Sequence, residues 1–170
     1  VNAPIQIDRL GVFDDLSNGI NLNINAHIYD RTSTATPLAS ISFTNADPGQ
    51  LVNGNRFKAL AMPLVLPAGF QGTIVAEGYG GAERNGNLGT GTPVGVTFDG
   101  GGLLSFVGSG RFGTAGAYPG TPDGGPANRY HAGTFEFRAD GAPIENIIAY
   151  NSPSPVTGNQ SFGGSLGMDF

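Results

Sequence analysis

The sequence predicts an all-β fold, a β-sandwich or jelly roll of about ten strands connected by long Gly-rich loops. The first observation is residues 20–28 (INLNINAHI), where aliphatic side chains alternate with amides and His27. A period of two places these two sets on opposite faces of a strand. The second is punctuation by turn sequences such as Asn53-Gly54 and Asp140-Gly141, because Asn and Gly accept the positive φ of tight turns. The third is that no segment shows a sustained helical period.

The strands follow one another along a single domain, residues 1–170. Pro63 predicts that one of them lies at a sheet edge or contains a bulge, since Pro cannot donate to a ladder. The Gly-rich stretch 108–128 is expected to be a long irregular loop, and loops of that length are usually functional. The strand candidates are residues 5–13, 20–28, 38–43, 57–66, 70–79, 94–98, 103–107, 130–138, 144–150 and 162–170.

Composition excludes several classes of function. Charged residues make up 12% of the chain, the net charge is −5 and the eight basic residues are scattered, so no basic patch for nucleic acid is present. No apolar run approaches the roughly 20 residues of a membrane-spanning helix. The chain has no Cys, which excludes disulfides, zinc–thiolate sites and thiol catalysis.

The chain begins at Val1 rather than Met. We therefore expect an exported protein, extracellular or at the cell surface, from which a signal peptide has been removed.

A series of short segments resembles a β-sandwich module of secreted bacterial proteins, of the type found in exported proteins with a PEP-CTERM sorting tail. Residues 98–137 resemble the second half of the same proteins. The resemblance implies export, a β-sandwich and a role in the extracellular matrix or at the surface, and it transfers no catalytic residue. The segments are IDRLGVFDD (7–15), AHIYD (26–30), PLAS (37–40), LVNGNRF (51–57), LPAG (66–69) and TIVAEG (73–78).

The chain shows no coherent set of catalytic residues. His27 and His131 are its only histidines, and both are interpreted as ordinary surface residues. Glu77 interrupts an apolar strand and is interpreted as an outward-facing side chain. We therefore expect a protein that is not an enzyme, with a polysaccharide hydrolase or lyase using Glu77 as the alternative.

Calcium is the cofactor that the loops favour, because it binds six to eight oxygen ligands on loops. Asp14, Asp15 and Asn18 form one oxygen-rich turn. A second turn, residues 83–87, carries Glu83 and two Asn. Neither matches the EF-hand loop, and a purely local turn role is the alternative.

Aromatic residues near the loops predict a sugar-binding site, because exposed rings beside polar groups suit carbohydrate. Some of these rings are alternatively expected to close the ends of the sandwich. The candidate ligand-binding residues are Tyr79, Arg111, Phe112, Tyr118, Arg129 and Tyr130.

Both ends of the chain alternate apolar and small residues. A strand in the protein's own sheet is one interpretation, and donation to a neighbouring subunit is the other. Head-to-tail donation builds filaments. The candidate assembly residues are Val1, Ala3, Ile5, Ile7, Phe162, Leu166, Met168 and Phe170.

From these observations we expect a non-catalytic extracellular structural or adhesive subunit that associates with identical copies into a matrix, surface layer or filament. The alternative is a carbohydrate-binding module, with or without calcium, whose partner is a polysaccharide.

Overall fold

The computed structural model describes residues 1–91, 95–143, 145–152 and 155–170. The predicted strands at 94–98 and 144–150 each begin at a residue outside the described part. Among the described residues, no helix is long and apolar enough to cross a membrane.

The predicted all-β fold is confirmed. In the part of the chain that the structure describes, the helical content consists of two short 3-10 turns, Asp15–Ser17 and Leu88–Thr90. The strands are β1 (Ile5–Phe13), β2 (Ile24–Asp30), β3 (Ala39–Phe43), β4 (Gln50–Val52), β5 (Asn55–Leu66), β6 (Gly72–Glu77), β7 (Gly86–Asn87), β8 (Val96–Thr97), β9 (Arg111–Gly113), β10 (Thr121–Pro122), β11 (Tyr130–His131), β12 (Gly133–Ala139), β13 (Ile147–Ile148), β14 (Tyr150–Asn151) and β15 (Ser165–Asp169).

Two antiparallel sheets hold most of these strands. The five-stranded sheet has the order β13-β12-β1-β5-β4, and the six-stranded sheet has the order β10-β9-β15-β6-β2-β3. Two short ribbons, β11-β7 and β14-β8, complete the pairing. The aliphatic and phenyl side chains on the inner faces of both sheets form a single hydrophobic core, as expected for a sandwich.

The alternation predicted for residues 20–28 is confirmed in β2. Ile24, Ala26 and Ile28 are fully buried, while Asn25 and His27 lie on the outer face and are partly exposed. Residues 20–23 precede the strand. Burying every second side chain fixes the register of β2, because a slip by one residue would move the amides into the core.

The irregularity predicted at Pro63 is also present. In the ladder between β1 and β5, Ile7 pairs with Leu64 but Arg9 pairs with Ala59, so the register shifts across residues 60–63. On the other side of β5, the short strand β4 pairs only with residues 55–57. Pro63 therefore lies where this sheet edge is uncovered, and its missing N–H removes no ladder bond on that side.

Two predictions about the second half of the chain are wrong. Residues 103–107 form no strand, because their apolar side chains pack without a ladder: Leu104 is buried, and its N–H donates to the Asp99 carbonyl. The stretch 108–128 is not wholly irregular, since it contains β9 and β10, which pair with each other.

The assignment of the chain ends to assembly also needs correction. β1 lies between β12 and β5, and β15 lies between β6 and β9. Among the candidate assembly residues, Ile5, Ile7, Leu166, Met168 and Phe170 are in the protein's own core, and Val1 and Phe162 pack against it. Strands that are paired on both sides and buried in this way are not free to enter a neighbouring sheet.

Residues 113–120, here called the covering loop, lie over the outer face of the six-stranded sheet. Ser165 Oγ lies 2.7 Å from the carbonyl oxygens of both Thr114 and Ala117, within hydrogen-bonding distance of each. Pro119 packs beside Gly167, where a Cβ would lie only 2.9 Å from the Pro119 ring. The sheet is therefore covered on both faces along β15, which explains why all five residues of this strand are buried.

Candidate functional site

The structure separates the predicted sugar-binding residues into three groups. Tyr79 is in the core, where its hydroxyl donates to the carbonyls of Phe13 and Ala132 at 3.2 and 2.9 Å. Burial raises the pKa of Tyr79 well above its usual value. Tyr79 therefore closes the sandwich rather than binding a ligand, which corrects its assignment.

Phe112 and Tyr130 line one pocket, here called the aromatic pocket, with a volume of about 200 Å³. Phe162, Leu166 and Gln160 complete its lining. Phe112 comes from β9, Leu166 from the adjacent strand β15, and Tyr130 from β11. The pocket thus lies on the inner side of the six-stranded sheet, next to the core.

The chemistry of the aromatic pocket is that of an apolar cleft with one fixed amide. The rings of Phe112 and Phe162 meet edge to face, with centroids 6.3 Å apart. Gln160 Oε1 accepts a hydrogen bond from Asn85 Nδ2 at 3.0 Å, which leaves the Gln160 NH₂ group as the donor of that amide. Apolar walls with a few fixed polar groups are the usual composition of a ligand pocket.

Arg129 packs against the Tyr130 ring in the wall of the pocket and is bound by neighbouring polar side chains, so it does not project as a ligand contact. Its Nε lies 2.9 Å from Asp123 Oδ2 and 3.1 Å from Asn87 Oδ1, and its guanidinium stacks over Tyr130 at 5.8 Å. Burial, together with the hydrogen bond to Asp123, raises the pKa of Tyr130. The Tyr130 ring is therefore held neutral and in place before any ligand binds.

Arg111 and Tyr118 form the third group and lie on the outer face of the six-stranded sheet. Arg111 Nε donates to Asp169 Oδ2 at 2.6 Å, and its guanidinium lies 5.7 Å from the centre of the Tyr118 ring. The Tyr118 hydroxyl is 3.2 Å from Thr73 Oγ1. These two residues therefore do not share a site with Phe112, although Arg111 precedes it in sequence.

His27 and Glu77 are brought together on the same outer face, a contact that was not predicted from the sequence. His27 Nε2 lies 3.5 Å from Glu77 Oε1, and His27 Nδ1 lies 2.8 Å from Ser40 Oγ. Glu77 Oε2 accepts a hydrogen bond from Gly116 N and lies 3.0 Å from Ser165 Oγ. The signal for this contact is the register His27↔Val75 between β2 and β6, which a single sequence does not reveal.

The residues predicted to bind calcium accept hydrogen bonds from N–H groups instead. Asp14 Oδ1 accepts from Asn18 N and Gly19 N, and Asp14 Oδ2 accepts from Arg56 Nε at 2.6 Å. Asp15 Oδ1 accepts from the Gly158 amide at 2.7 Å. In the described part of the chain, no group of three His, Asp or Glu side chains is placed to hold a metal ion. The geometry is that of a hydrogen-bonded turn, the alternative that the sequence left open.

The second predicted calcium turn joins the first through Glu83. This buried carboxylate accepts hydrogen bonds from Asp15 N at 2.7 Å and Asn21 N at 2.8 Å. Burial raises the pKa of Glu83 to about 7, and these two backbone donors oppose the shift. Glu83 therefore links the two turns by hydrogen bonds.

Comparison with known proteins gives a partial match to glycosyltransferases. No family model matches the chain, and no solved structure matches it. Over 105 residues it is 33% identical to UDP-GalNAc:beta-1,3-N-acetylgalactosaminyltransferase 2 of Xenopus tropicalis and to that of Xenopus laevis. The match includes 61% of this chain but spans only 20% and 21% of the two relatives.

The similarity corrects one expectation from the sequence. Both relatives are named as glycosyltransferases, which contradicts the expectation of a protein that is not an enzyme. The chain spans about a fifth of the length of these curated relatives. The resemblance to secreted bacterial modules is not tested by these comparisons and stays a prediction.

Proposed function

We propose that this β-sandwich recognises carbohydrate and that the aromatic pocket receives one sugar residue or its acetamido group. The observation that carries the proposal is the lining of the pocket: Phe112, Phe162 and Tyr130 supply aromatic surface beside the fixed amide of Gln160. C–H faces and methyl groups of sugars gain from such surface, while the amide offers a hydrogen bond.

The size of the pocket limits what it can hold. Sites for whole ligands measure about 300–1,000 Å³, whereas this one measures about 200 Å³. It therefore suits a terminal residue or a substituent of a longer glycan, with the remainder of the glycan lying across the surface.

The names of the two similar proteins also support an N-acetylated sugar as the ligand of the aromatic pocket. The two relatives are named for an enzyme that uses UDP-GalNAc, a donor of an N-acetylated sugar. An acetamido group presents a methyl group and a carbonyl acceptor side by side. The methyl group suits the ring of Phe112 or Phe162, and the carbonyl suits the NH₂ group of Gln160.

Titration by two-dimensional NMR tests the proposal. We expect N-acetylgalactosamine to shift the amide signals of residues 112, 130, 160 and 162, and galactose to shift them much less. Phe162→Ala should weaken binding about fivefold to tenfold, since an aromatic contact contributes roughly 1–1.5 kcal/mol beyond its buried area.

Phe98→Ala is the matched control, because Phe98 is an exposed phenyl ring outside the aromatic pocket. Circular dichroism verifies that both variants remain folded. The proposal fails if neither sugar shifts the pocket signals at millimolar concentration, or if Phe162→Ala binds as tightly as the unaltered protein.

A further inference from the structure

Two arginines on the outer face of the six-stranded sheet share one buried carboxylate. Asp169 is 1% exposed, and its Oδ2 lies 2.6 Å from Arg111 Nε and 3.5 Å from Arg31 Nε. Asp169 Oδ1 accepts a further hydrogen bond from Thr73 Oγ1 at 2.6 Å. The carboxylate is therefore fully engaged and fixed beneath the two guanidinium groups.

Both arginines contact Asp169 through Nε and not through their terminal nitrogens. Within the described ranges, neither Arg31 nor Arg111 donates a hydrogen bond from an Nη atom to another residue. A guanidinium carries five N–H donors in a planar fork, so most donors of each group remain available. About a quarter of the Arg31 side chain and a fifth of the Arg111 side chain are exposed.

The site formed by Arg31, Arg111 and Asp169 carries a net positive charge, whereas the protein as a whole is acidic. Two guanidinium groups face one carboxylate in this contact, so these three side chains together carry one net positive charge. Asp30, next to Arg31 in sequence, directs its Oδ1 to the N–H and hydroxyl of Thr32. Glu77 lies four residues from Thr73 on β6, roughly 13 Å along the strand, and is engaged with the covering loop.

The two guanidinium groups are close enough to bind one ligand together. Because both Nε atoms approach the same oxygen, they lie no more than about 6 Å apart. Tyr118 stacks against Arg111 and meets Tyr29 edge to face at 5.4 Å, which gives the site an aromatic wall. A hydrogen bond to Asp169 fixes Arg111 in advance and the same carboxylate holds Arg31 at 3.5 Å, which reduces the side-chain entropy that remains to be lost on binding.

We infer that Arg31 and Arg111, here called the arginine pair, bind an oxyanion, namely a sulfate, phosphate or carboxylate group. Bidentate N–H donors on planar guanidinium groups match the oxygens of these anions. The Tyr118 ring beside them fits an anion carried by a sugar. The site lies on the opposite face of the sheet from the aromatic pocket and does not depend on the function proposed there.

Titration of ¹⁵N-labelled protein with galactose 6-sulfate, unsulfated galactose and inorganic sulfate tests the inference. We expect galactose 6-sulfate to shift the signals of the Arg31 and Arg111 side chains and of nearby amides, and unsulfated galactose to leave them unchanged. Inorganic sulfate should shift the same signals more weakly, and added NaCl should weaken both effects.

Arg31→Gln should weaken binding of galactose 6-sulfate about tenfold, because hydrogen bonds to charged groups are lost. Arg31→Lys should recover only part of that loss, since an ammonium group cannot bind in the bidentate manner. Arg84→Gln removes an exposed arginine elsewhere and is the matched control.

Equal shifts with inorganic sulfate and galactose 6-sulfate would assign the site to the free ion. Absence of any shift at the arginine pair, or an equal loss in Arg84→Gln, would overturn the inference. The signals of residues 160–162 report on the aromatic pocket separately. Failure of one proposal is therefore distinguishable from failure of the other.

Discussion

His131 is a neutral imidazole held in the core between two aromatic rings. Its ring centre lies 4.3 Å from that of Phe13 and 4.6 Å from that of Tyr150, and its Nε2 is 3.1 Å from Asn55 Oδ1. Burial lowers the pKa of His131 to about 3, because the charged form would lose its hydration. The interpretation of His131 as an ordinary surface residue is therefore wrong.

His131 and Glu83 give the free energy of unfolding opposite dependences on pH. An unfolded His titrates near pH 6.5, so the contribution of His131 to stability is lost as pH falls from about 6.5 towards 3. The raised pKa of Glu83, about 7, stabilises the fold at low pH and loses that effect as pH rises from about 4.5 to 7. The two effects therefore oppose each other between about pH 4.5 and 6.5.

Substituting these residues one at a time should expose each effect. His131→Gln keeps an N–H donor for Asn55 and should make stability fall as pH rises from 5 to 6.5, because Glu83 then acts alone. Glu83→Gln should make stability rise over the same interval, by up to about 1.4 kcal/mol per pH unit. Urea unfolding at several pH values measures both slopes, and slopes of the same sign in the two variants would contradict the assignment.

At the scale of elements, the covering loop depends on a glycine in β15. A Cβ at Gly167 would lie 2.9 Å from both Pro119 Cγ and Thr73 Cγ2, closer than side-chain carbons pack. Glycine has no Cβ, and for that reason Pro119 can pack directly against this strand at position 167. The loop in turn positions Tyr118 beside the arginine pair and the Gly116 N–H against Glu77.

Gly167→Ala should therefore displace the covering loop while the sandwich remains folded. Overpacking at such a contact costs about 1–3 kcal/mol, and hydrogen exchange at the amides of residues 114–118 should accelerate. Gly81→Ala is the control, because a Cβ there meets nothing within 4 Å. Unchanged exchange in Gly167→Ala would show that the loop does not rest on this contact.

The strands differ in how far the sequence could predict them, for a physical reason. β1 was predicted with its correct ends, and β2 was found from alternation because one of its faces is apolar and the other polar. Residues 103–107 were wrongly predicted as a strand because apolar composition alone does not distinguish a strand from a packed loop. β9 has only three residues, too few for any period to show.

At the scale of the whole molecule, the candidate sites depend on contacts that are distant in sequence. The aromatic pocket joins Phe112 and Tyr130 to residues 160–166, and the arginine pair joins residues 31 and 111 through Asp169. The sequence predicted Phe112, Tyr130 and Arg111 as ligand-binding residues from their types. It did not place Arg111 on the opposite sheet face from Phe112, because residues 108–128 were predicted to be an irregular loop rather than a strand. It could not bring in Arg31, because strand order is not encoded in local periodicity.

Strand β15 makes the end of the chain essential to the sandwich. Leu166, Met168 and Phe170 are buried in the core, and burial of three such side chains contributes about 5–9 kcal/mol. That is comparable to the whole stability of a domain, about 5–15 kcal/mol. Deletion of residues 164–170 should therefore abolish cooperative thermal unfolding and the near-ultraviolet circular dichroism of packed tyrosines.

A synthetic peptide of residues 161–170 should restore both signals when added to the shortened chain, because it can re-enter between β6 and β9. A scrambled peptide of the same composition, with the apolar alternation broken, should not. If the shortened chain unfolds cooperatively near the melting temperature of the full chain, β15 is dispensable to the subunit.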